Sequence, residues 1–240
     1  MPEVYLKNFT VQLKEKRKQY VTAVDNVDVH FLNGQVNVLI GPSGCGKTSL
    51  LRGVIGLVPH EGDILFDNIN VNEYRIDEKG LSYVSQSLGL YPHLSIFNNI
   101  AFPLRVAGSD PEEIRRRVDE VSELLKIKHC LTRKPRQLSM GQAQRVAIAR
   151  ALIKRPILYL FDEPFSNLDK PLAEELIIKL KKIFIQNNAT VLYVTHDLKE
   201  ALTIGDQIFV MDKGQIVEEI AAKDITKSKN PLVKEYLKTL

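Results

Sequence analysis

Residues 36–50 read V-N-V-L-I-G-P-S-G-C-G-K-T-S-L, and this stretch decides the fold. The apolar run Val36–Ile40 is typical of a buried strand, and residues 41–48 match the phosphate-loop pattern G-x-x-x-x-G-K-[ST]. Glycines in such a loop let successive backbone N–H groups point at phosphate oxygens, and a helix beginning at Lys47 adds the positive end of its dipole. The stretch therefore predicts a strand, a loop and a helix that together bind a nucleotide.

Two side chains of the loop have predicted roles in phosphate chemistry. Lys47 would reach the β- and γ-phosphates, and the hydroxyl of Thr48 would ligate a Mg²⁺ ion that bridges the same oxygens. The alternative, a glycine-rich turn between a strand and a helix, is disfavoured by the complete pattern after a buried strand. The predicted cradle consists of Gly41, Pro42, Ser43, Gly44, Cys45, Gly46, Lys47, Thr48 and Ser49.

Length and charge limit the kind of protein. At 240 residues the chain can bury one large core or two modest ones, which favours one compact unit with an inserted subdomain. The net charge of +4 comes from scattered Lys and Arg, with clusters at residues 14–18, 115–117 and 133–136. These clusters contain no interleaved aromatic residues that could stack bases, so we interpret them as solvated surface and expect no nucleic-acid partner.

Cysteine usage and hydropathy indicate the compartment. Of the two cysteines, Cys45 lies inside the phosphate loop, where a disulfide would distort the anion cradle, so a reducing environment is expected. The sequence begins without a basic and apolar leader, and no apolar stretch approaches the roughly 18 residues that a membrane span needs. If the protein acts on a membrane, we expect other chains to supply the spanning segments.

The hydrophobic pattern predicts an α/β fold with a mostly parallel sheet. Residues 4–13 and 27–31 alternate apolar and polar side chains around a basic turn at residues 14–18, which predicts antiparallel strands with one solvated face. Three nearly continuous apolar runs predict strands covered on both faces of a parallel sheet. These runs are Val36–Ile40, residues 157–161 and Val191–Val194.

Helix signals fill most of the remaining chain. Residues 171–187 carry an apolar stripe typical of a crossover helix, with Asp169 available as its cap. Asp110 is a candidate N-cap, followed by a proline at the first helical position and by acidic residues in the first turn. This pattern predicts a helix that ends at about Leu125. Because residues 87–155 contain no comparable buried strand, we interpret them as a mostly helical insertion. A hairpin around Lys213 and Gly214 and a closing helix at residues 231–240 complete the prediction.

A pair of carboxylates follows the predicted strand at residues 157–161. Asp162 and Glu163 lie where a buried strand emerges, which is the usual ligand crevice of such sheets. Asp162 would hold the Mg²⁺ shell, and Glu163 would polarise the water that attacks the γ-phosphate. A simple turn before Pro164 is the alternative, which the phosphate loop on the same chain disfavours.

Residues 138–142, L-S-M-G-Q, resemble the L-S-G-G-Q signature of ATP-binding cassette (ABC) proteins, and we call them the signature. The resemblance covers almost the whole chain. Gln86 before the signature, and residues 166–169 and His196 after it, occur in the same order as the matching family motifs. It implies an ATPase with a P-loop NTPase core of mostly parallel sheet, an N-terminal antiparallel β-subdomain and an inserted helical subdomain. We expect a single domain over residues 1–240, with the core at 1–86 and 156–240 and the helical subdomain at 87–155.

The signature has a physical interpretation of its own. Ser139 with Gln142 forms a capping box that opens a helix running to Ile153, and a helix start with a free hydroxyl is also an anion site. The resemblance implies that Ser139, Gly141 and Gln142 contact the γ-phosphate held by another subunit. Met140 stands where the family usually has Gly; a positive φ there would cost about 1 kcal/mol, and a helical φ almost nothing. Our hypothesis is that Met140 is tolerated.

Further roles are implied by the resemblance alone. His196 is similar to the switch histidine that hydrogen-bonds the γ-phosphate and the attacking water, and Gln86 to the sensor of Mg²⁺ and water. Tyr20 is the candidate for stacking on adenine, although packing on an edge-strand neighbour is the alternative. Asp169 completes the set of expected nucleotide contacts. Catalysis is therefore assigned to Glu163, His196, Gln86 and Lys47.

The resemblance also implies partners. Each ATP would lie between the phosphate loop of one subunit and the signature of a second one, so catalysis needs two chains. Residues 91–94, 98–100 and 165–169 are most similar to bacterial importers of sugars, polyamines or ferric iron. We therefore expect integral membrane permease subunits, docked near residues 86–97, an extracytoplasmic solute-binding protein, and a location at the cytoplasmic face of the membrane. A long C-terminal regulatory domain, common in those relatives, is not expected here.

Two other functions fit less well. A soluble ABC ATPase that acts on nucleic acid or the ribosome usually has tandem cassettes or a long coiled coil between its lobes, and the sequence predicts neither. A phosphate-loop kinase would give no account of the signature or of His196.

Overall fold

The computed structural model describes residues 2–14 and 20–238. Its strands are β1 (Val4–Lys14), β2 (Tyr20–Phe31), β3 (Val36–Ile40), β4 (Glu61–Phe66), β5 (Ile69–Asn70), β6 (Leu81–Val84), β7 (Leu158–Asp162), β8 (Val191–Val194), β9 (Gln207–Asp212) and β10 (Gln215–Ala221). Its α-helices are α1 (Lys47–Ile55), α2 (Ile96–Val106), α3 (Pro111–Leu124), α4 (Met140–Leu152), α5 (Lys170–Gln186), α6 (Leu198–Ile204) and α7 (Pro231–Leu237).

The strands form two sheets. An antiparallel sheet has the order β2-β1-β4-β5, and a six-stranded sheet has the order β10-β9-β3-β8-β7-β6. In the second sheet β9, β3, β8, β7 and β6 run parallel, and β10 pairs antiparallel with β9. Between β6 and β7 the chain is helical, with α2, α3 and α4 as its main elements. The predicted α/β fold, with a mostly parallel sheet, an antiparallel sheet and inserted helices, is confirmed.

Most predicted strands lie where the hydropathy pattern placed them. β3 and β8 have the predicted ends, whereas β7 is shifted by one residue, because Ile157 remains partly exposed outside the ladder. β2 begins at Tyr20, well before residue 27, since its pairing with β1 continues as far as Lys14. Residues 15–19, most of the predicted basic turn, lie outside the described residues.

Several elements escaped prediction. In β4 only Ile64 and Phe66 are buried, so the alternation of apolar and polar residues is too short to predict a strand. β5 has only two residues and lies at the edge of the antiparallel sheet. α6 has only seven residues, which is too short for a clear helical periodicity. These elements form because neighbouring strands and helices cover them.

The predicted helix caps are confirmed. The carboxylate of Asp110 accepts hydrogen bonds from the backbone N–H of Glu112 at 2.8 Å and of Glu113 at 3.2 Å. That of Asp169 accepts from the N–H of Leu172 at 3.3 Å, at the start of α5. Each cap satisfies backbone donors that have no partner within the helix. α7 ends at Leu237, and residues 239–240 of the predicted closing helix lie outside the described part of the chain.

The six-stranded sheet is buried on both faces. Alternate residues point to opposite sides, so that Val38 on β3 joins a core with α2 to α6, while its neighbour Leu39 joins a second core. The second core lies between the two sheets and contains Leu50, Leu51 and Val54 of α1. The continuous apolar runs in the sequence therefore reflect burial on both faces, as expected for parallel strands.

This topology places the predicted site residues at one edge of the sheet. β3, β8 and β7 are adjacent and parallel, so the segments that follow them meet at their carboxyl ends. Those segments are the phosphate loop, residues 195–197 and the turn that begins at Glu163. Within residues 2–14 and 20–238, every helix is too short or too polar to cross a bilayer.

Candidate functional site

The phosphate loop is held in shape by close contacts that only glycine permits. Gly46 has φ 114°, and a Cβ there would lie 2.1 Å from the carbonyl oxygen of Ala23 on β2. A Cβ on Gly41 would lie 2.1 Å from the carbonyl oxygen of Met211 on β9. The loop thus packs closely against β2 and β9, and close contacts as well as the predicted approach of phosphate require glycine at positions 41 and 46.

Lys47 is positioned inside the loop. Its side chain is buried, and Nζ donates hydrogen bonds to the carbonyl oxygens of Gly41 and Pro42, each at 2.8 Å. The ammonium therefore occupies an anion-binding cradle, where phosphate oxygens could replace the carbonyl acceptors. Beneath it, burial raises the pKa of the Cys45 thiol, and Cys45 and Cys130 are both buried and free, in agreement with the prediction that neither forms a disulfide.

An oxygen cluster suited to a divalent cation lies beside the loop. The Thr48 hydroxyl donates to Asp162 Oδ1 at 2.9 Å, and the Tyr83 hydroxyl donates to Asp162 Oδ2 at 3.4 Å. Asp162 is only 1% exposed, and burial raises the pKa of its carboxyl while the bond from Thr48 opposes that shift. A carboxylate and a hydroxyl are hard oxygen donors of the kind that Mg²⁺ prefers, so the residues fit this ion.

Tyr83 was not predicted from the sequence. Burial, with Asp162 nearby, raises the pKa of its hydroxyl to about 12, which keeps the group protonated as a donor. Tyr83 reaches Asp162 because β6 pairs with β7 at the end of the sheet. The sequence carries no signal for this pairing, since the two strands are separated by the whole helical stretch.

Glu163 and His196 come together at the ends of neighbouring strands. Glu163 Oε1 lies 3.3 Å from His196 Nδ1. The backbone N–H of Glu163 donates to the carbonyl oxygen of Val194 at 3.0 Å, so the pairing of β7 with β8 extends to this residue. The two side chains border a cleft of about 220 Å³ that Ser166, Asp197 and Lys170 also line. The structure thus joins two of the predicted catalytic residues beside an open space.

A buried polar network supports the turn that carries His196. Glu200 accepts hydrogen bonds from the Tyr193 hydroxyl and, at 2.8 Å, from the Thr195 hydroxyl. Burial raises the pKa of Glu200 and holds that of Tyr193 well above its ordinary value. Asp197 caps α6 by accepting from the N–H of Glu200 at 3.1 Å. These contacts fix the backbone on both sides of His196 and were not predicted.

Gln86 lies exposed in the turn that follows β6 and takes part in no hydrogen bond among the described residues. The segment after it is anchored to the helices instead. Arg150 of α4 donates to the carbonyl oxygens of Leu88 at 2.8 Å and Gly89 at 2.7 Å, and its guanidinium lies 5.5 Å from the centroid of the Tyr91 ring. The turn at residues 85–87 therefore connects the sheet to a segment that is fixed to the helical stretch.

Asn99 of α2 holds the same segment and is fully buried. Its Oδ1 accepts from the N–H of Tyr91 at 2.7 Å, and its Nδ2 donates to the carbonyl oxygens of Leu94 at 3.3 Å and Ser95 at 3.0 Å. Neither Arg150 nor Asn99 was predicted as a functional residue. Their partners are backbone atoms, which leave no side-chain pattern in the sequence.

The signature forms the predicted capping box. Ser139 Oγ accepts from the N–H of Gln142 at 3.2 Å, and Gln142 Oε1 accepts from the N–H of Ser139 at 3.1 Å. Ser139 is exposed at the start of α4. Among the described residues, hydrogen bonds tie this part of α4 to residues 163–167, and none joins the signature to the phosphate loop. One chain therefore presents the two predicted phosphate-binding elements separately.

Met140 occupies a helical position, which answers the question raised by the sequence. It is the first residue of α4, it is not among the residues with positive φ, and its side chain is 61% exposed. A helical Met incurs almost no backbone cost, whereas Gly in a helix costs about 0.5–1 kcal/mol relative to Ala.

The Met140→Gly variant tests this conclusion. We expect its rate of ATP hydrolysis, measured by phosphate release, to stay within about threefold of the unaltered chain, because the backbone already has the required conformation. A hundredfold acceleration would contradict this expectation and show that Met140 lowers the hydrolysis rate of the unaltered chain.

Two predicted nucleotide contacts, Tyr20 and Asp169, form no hydrogen bond with the phosphate loop among the described residues. Tyr20 is 63% exposed and pairs with Lys14. On the other face of the hairpin Leu13 pairs with Val21, and Leu13 shares its side of β1 with Val11, which packs on α1. The role of Tyr20 stays a prediction; Leu13 and Tyr20 both line a surface cavity beside Val58 and His60. Asp169 acts as the N-cap of α5, as described above.

Comparison with known proteins places this geometry in context. The profile of the family described as ABC transporter matches residues 24–166. The sn-glycerol-3-phosphate import ATP-binding protein UgpC of Yersinia enterocolitica is 43% identical over 82% of this chain and 54% of its own length. The maltose/maltodextrin import ATP-binding protein MalK of Photorhabdus laumondii is 41% identical over 80% of this chain and 53% of its own. The chain thus spans about half the length of the curated relatives it matches.

Solved structures are similar over nearly the whole chain. The dimeric structure of MJ0796, a bacterial ABC transporter cassette, has a TM-score of 0.84 and 33% identity, and the match covers 91% of this chain and 98% of that one. A second dimeric structure of MJ0796, in a post-hydrolysis state bound to ADP and Pi, matches with the same TM-score and identity.

Proposed function

The chain belongs to the ABC transporter family, and we propose that it is an ATPase subunit that pairs with a second copy around two ATP molecules and powers solute import. One observation carries the proposal most directly. The phosphate loop with Lys47, the Thr48 and Asp162 pair, and the Glu163 and His196 pair converge on one edge of the sheet. The names of the relatives, which describe import ATP-binding proteins, support the direction of transport.

The phosphate loop would bind the β- and γ-phosphates. Lys47 would exchange the carbonyl oxygens of Gly41 and Pro42 for phosphate oxygens, and the free N–H groups of the loop and of the first turn of α1 would donate to them. Thr48 and Asp162 would hold Mg²⁺, which supplies neutralising charge to the phosphate oxygens when bound. The buried position of this cluster strengthens each of these interactions.

Glu163 and His196 would act on the attacking water. Glu163 would accept a hydrogen bond from a water molecule in the adjoining cleft and orient its oxygen toward the γ-phosphorus. As the new P–O bond forms, the proton that the water loses would pass to the Glu163 carboxylate, the bond from the γ-phosphorus to the bridging oxygen of ADP would break, and ADP and inorganic phosphate would result. His196 would donate a hydrogen bond to the γ-phosphate as its charge redistributes.

Two chains would complete each site. Among the described residues, Ser139, Gly141 and Gln142 form no hydrogen bond with the phosphate loop of their own chain, so a partner's signature would supply the missing donors to the γ-phosphate. The dimeric form of the MJ0796 cassette supports this arrangement. Hydrolysis would then convert one bound ATP, which bridges the two subunits, into ADP and inorganic phosphate. These two anions repel each other, and the dimer would open.

The cycle of ATP binding and hydrolysis would drive conformational changes in membrane permease subunits. We propose that they insert a short helix next to α2, where Phe102 packs against Tyr91 at a centroid distance of 4.6 Å and Val106 is 73% exposed. This surface adjoins the segment that Arg150 and Asn99 anchor. A displacement of α2 by a permease helix would therefore also move the turn that contains Gln86. The chain would then lie at the cytoplasmic face of the membrane, and a solute-binding protein would deliver the cargo on the other side.

Capture of membrane subunits tests the proposed function. The tagged chain is incubated with detergent-solubilised membranes of its source organism, and we expect multi-spanning subunits to be recovered in an ATP-sensitive manner. The Val106→Glu variant should reduce this recovery at least about tenfold because a charge enters an apolar contact. Val217→Glu, which places the same change on the exposed face of β10, is the matched control. Recovery of RNA or DNA alone would overturn the proposal in favour of a soluble ABC ATPase.

A further inference from the structure

Gln144 is a buried amide that the mechanism above does not use. It lies on α4, two residues after the signature, and is only 1% exposed. Its Nε2 donates to the carbonyl oxygen of Glu163 at 3.1 Å, and its Oε1 accepts from the N–H of Asn167 at 3.1 Å. Both ends of one side chain therefore bind the backbone of the turn at residues 163–168, which we call the acidic turn.

A second contact ties the same helix to the same turn. A Cβ on Gly141 would lie 2.8 Å from Leu168 Cδ2 and 3.1 Å from the carbonyl oxygen of Asn167. The start of α4 thus packs on the acidic turn so closely that no side chain fits between them. Because Gly141 and Gln144 lie three residues apart, they share one face of the helix, and both contact the acidic turn.

Glu163 has an unusual backbone that needs such support. Its φ is 50°, in the left-handed region that a residue with a side chain rarely adopts. Its carbonyl oxygen accepts from Ser166 Oγ at 3.1 Å and from the N–H of Ser166 at 3.3 Å, both within the turn itself. Gln144 supplies the donor that comes from another element. Among the described residues, no other group outside the turn donates to this carbonyl oxygen.

We propose that Gln144 is a positioning residue that holds the acidic turn so that the Glu163 carboxylate faces the attacking water. The inference rests on the proposed function, since it assigns Gln144 a part in the same hydrolysis. It also gives the signature a second effect: α4 carries Ser139 toward the partner's ATP and, through Gln144, sets Glu163 beside the chain's own ATP. A movement of α4 would therefore change hydrolysis at the phosphate loop of the same chain.

The Gln144→Met variant tests the proposal, because Met keeps the volume and loses both hydrogen bonds. We expect kcat for ATP hydrolysis to fall about 10- to 100-fold, since a displaced catalytic group loses rate steeply, while KM stays within about threefold. Gln144→Glu keeps an acceptor for Asn167 and removes the donor to the Glu163 carbonyl, so it should be as slow as Gln144→Met. Gln186→Met, an exposed glutamine at the end of α5, is the matched control and should retain full activity.

A second measurement separates positioning from a general structural role. In a chain that also carries Glu163→Gln, Gln144→Met should leave ATP-dependent dimerisation unchanged on a sizing column, because the residue acts through the Glu163 carboxylate. Loss of that dimer, or a KM rising in step with the fall in kcat, would overturn the proposal and assign Gln144 to the shape of the signature. Full activity of Gln144→Glu would overturn it too. Failure of the proposed function looks different, since then the unaltered chain would release no phosphate.

Discussion

Replacing Glu163 by Gln should reduce ATP hydrolysis at least about a hundredfold and trap a dimer that contains ATP. Gln keeps the size of the side chain and removes the carboxylate that polarises the attacking water, while Lys47, Thr48 and the signature remain able to bind nucleotide. The paired state, which normally ends with hydrolysis, would then persist. Size-exclusion chromatography with and without ATP and Mg²⁺, together with phosphate release, measures both effects.

The matched control for this variant is Glu219→Gln. Glu219 lies exposed on β10, the edge strand of the six-stranded sheet, and the same chemical change there should alter neither the rate nor the elution volume. A Glu163→Gln chain that stays monomeric at saturating ATP would contradict the shared-site mechanism. Wild-type hydrolysis in that variant would exclude Glu163 as the base.

Mixing two inactive variants should restore hydrolysis, which is the second large effect. Lys47→Ala disables a chain's own phosphate loop, and Ser139→Arg disables its signature; we expect each alone to lose at least about a hundredfold in rate. In a mixed dimer, the intact loop of the second variant faces the intact signature of the first, so one of the two sites works. With random pairing of equal amounts, about a quarter of the wild-type rate should return.

This experiment decides whether the site is shared. If all catalytic groups acted within one chain, every molecule in the mixture would lack either Lys47 or Ser139, and no activity could return. The control is a mixture of Lys47→Ala with the double variant Lys47→Ala and Ser139→Arg, which should stay inactive because no intact loop is present. Phosphate release as a function of mixing ratio, with its maximum near equal amounts, completes the measurement.

Local patterns predicted much of the fold because they depend on neighbours in the sequence. The strands β3 and β8 have the predicted ends, and the caps at Asp110 and Asp169 lie where the residue types indicated. β4, β5 and α6 were missed because they are short, and pairing with other elements stabilises them more than their own periodicity does. β7 was misplaced by one residue because Ile157 stays exposed outside the ladder.

For the site, the motif residues were predictable and their supporting contacts were not. Lys47, Thr48 and Asp162 meet as expected from the phosphate loop and the acidic pair. Tyr83 and Gln144 contact the candidate site from other elements, and Arg150 anchors the segment beside it. The hydrogen bonds of Arg150 and Gln144 go mostly to backbone atoms. Contacts of this kind depend on strand order and helix packing, which no spacing in one sequence encodes.

The sequence by itself determined that a buried strand leads into a phosphate loop, that a second strand ends in two carboxylates, and that a capping box opens α4. Each of these follows from the conformational and hydrogen-bonding preferences of a few consecutive residues. Only the tertiary structure decided that Met140 is helical, that Leu13 pairs with Val21 and Tyr20 with Lys14, and that Gln144 donates a hydrogen bond to the Glu163 carbonyl oxygen. These outcomes depend on register and close packing between elements that lie far apart in the chain, where a shift of one residue exchanges the faces of a strand.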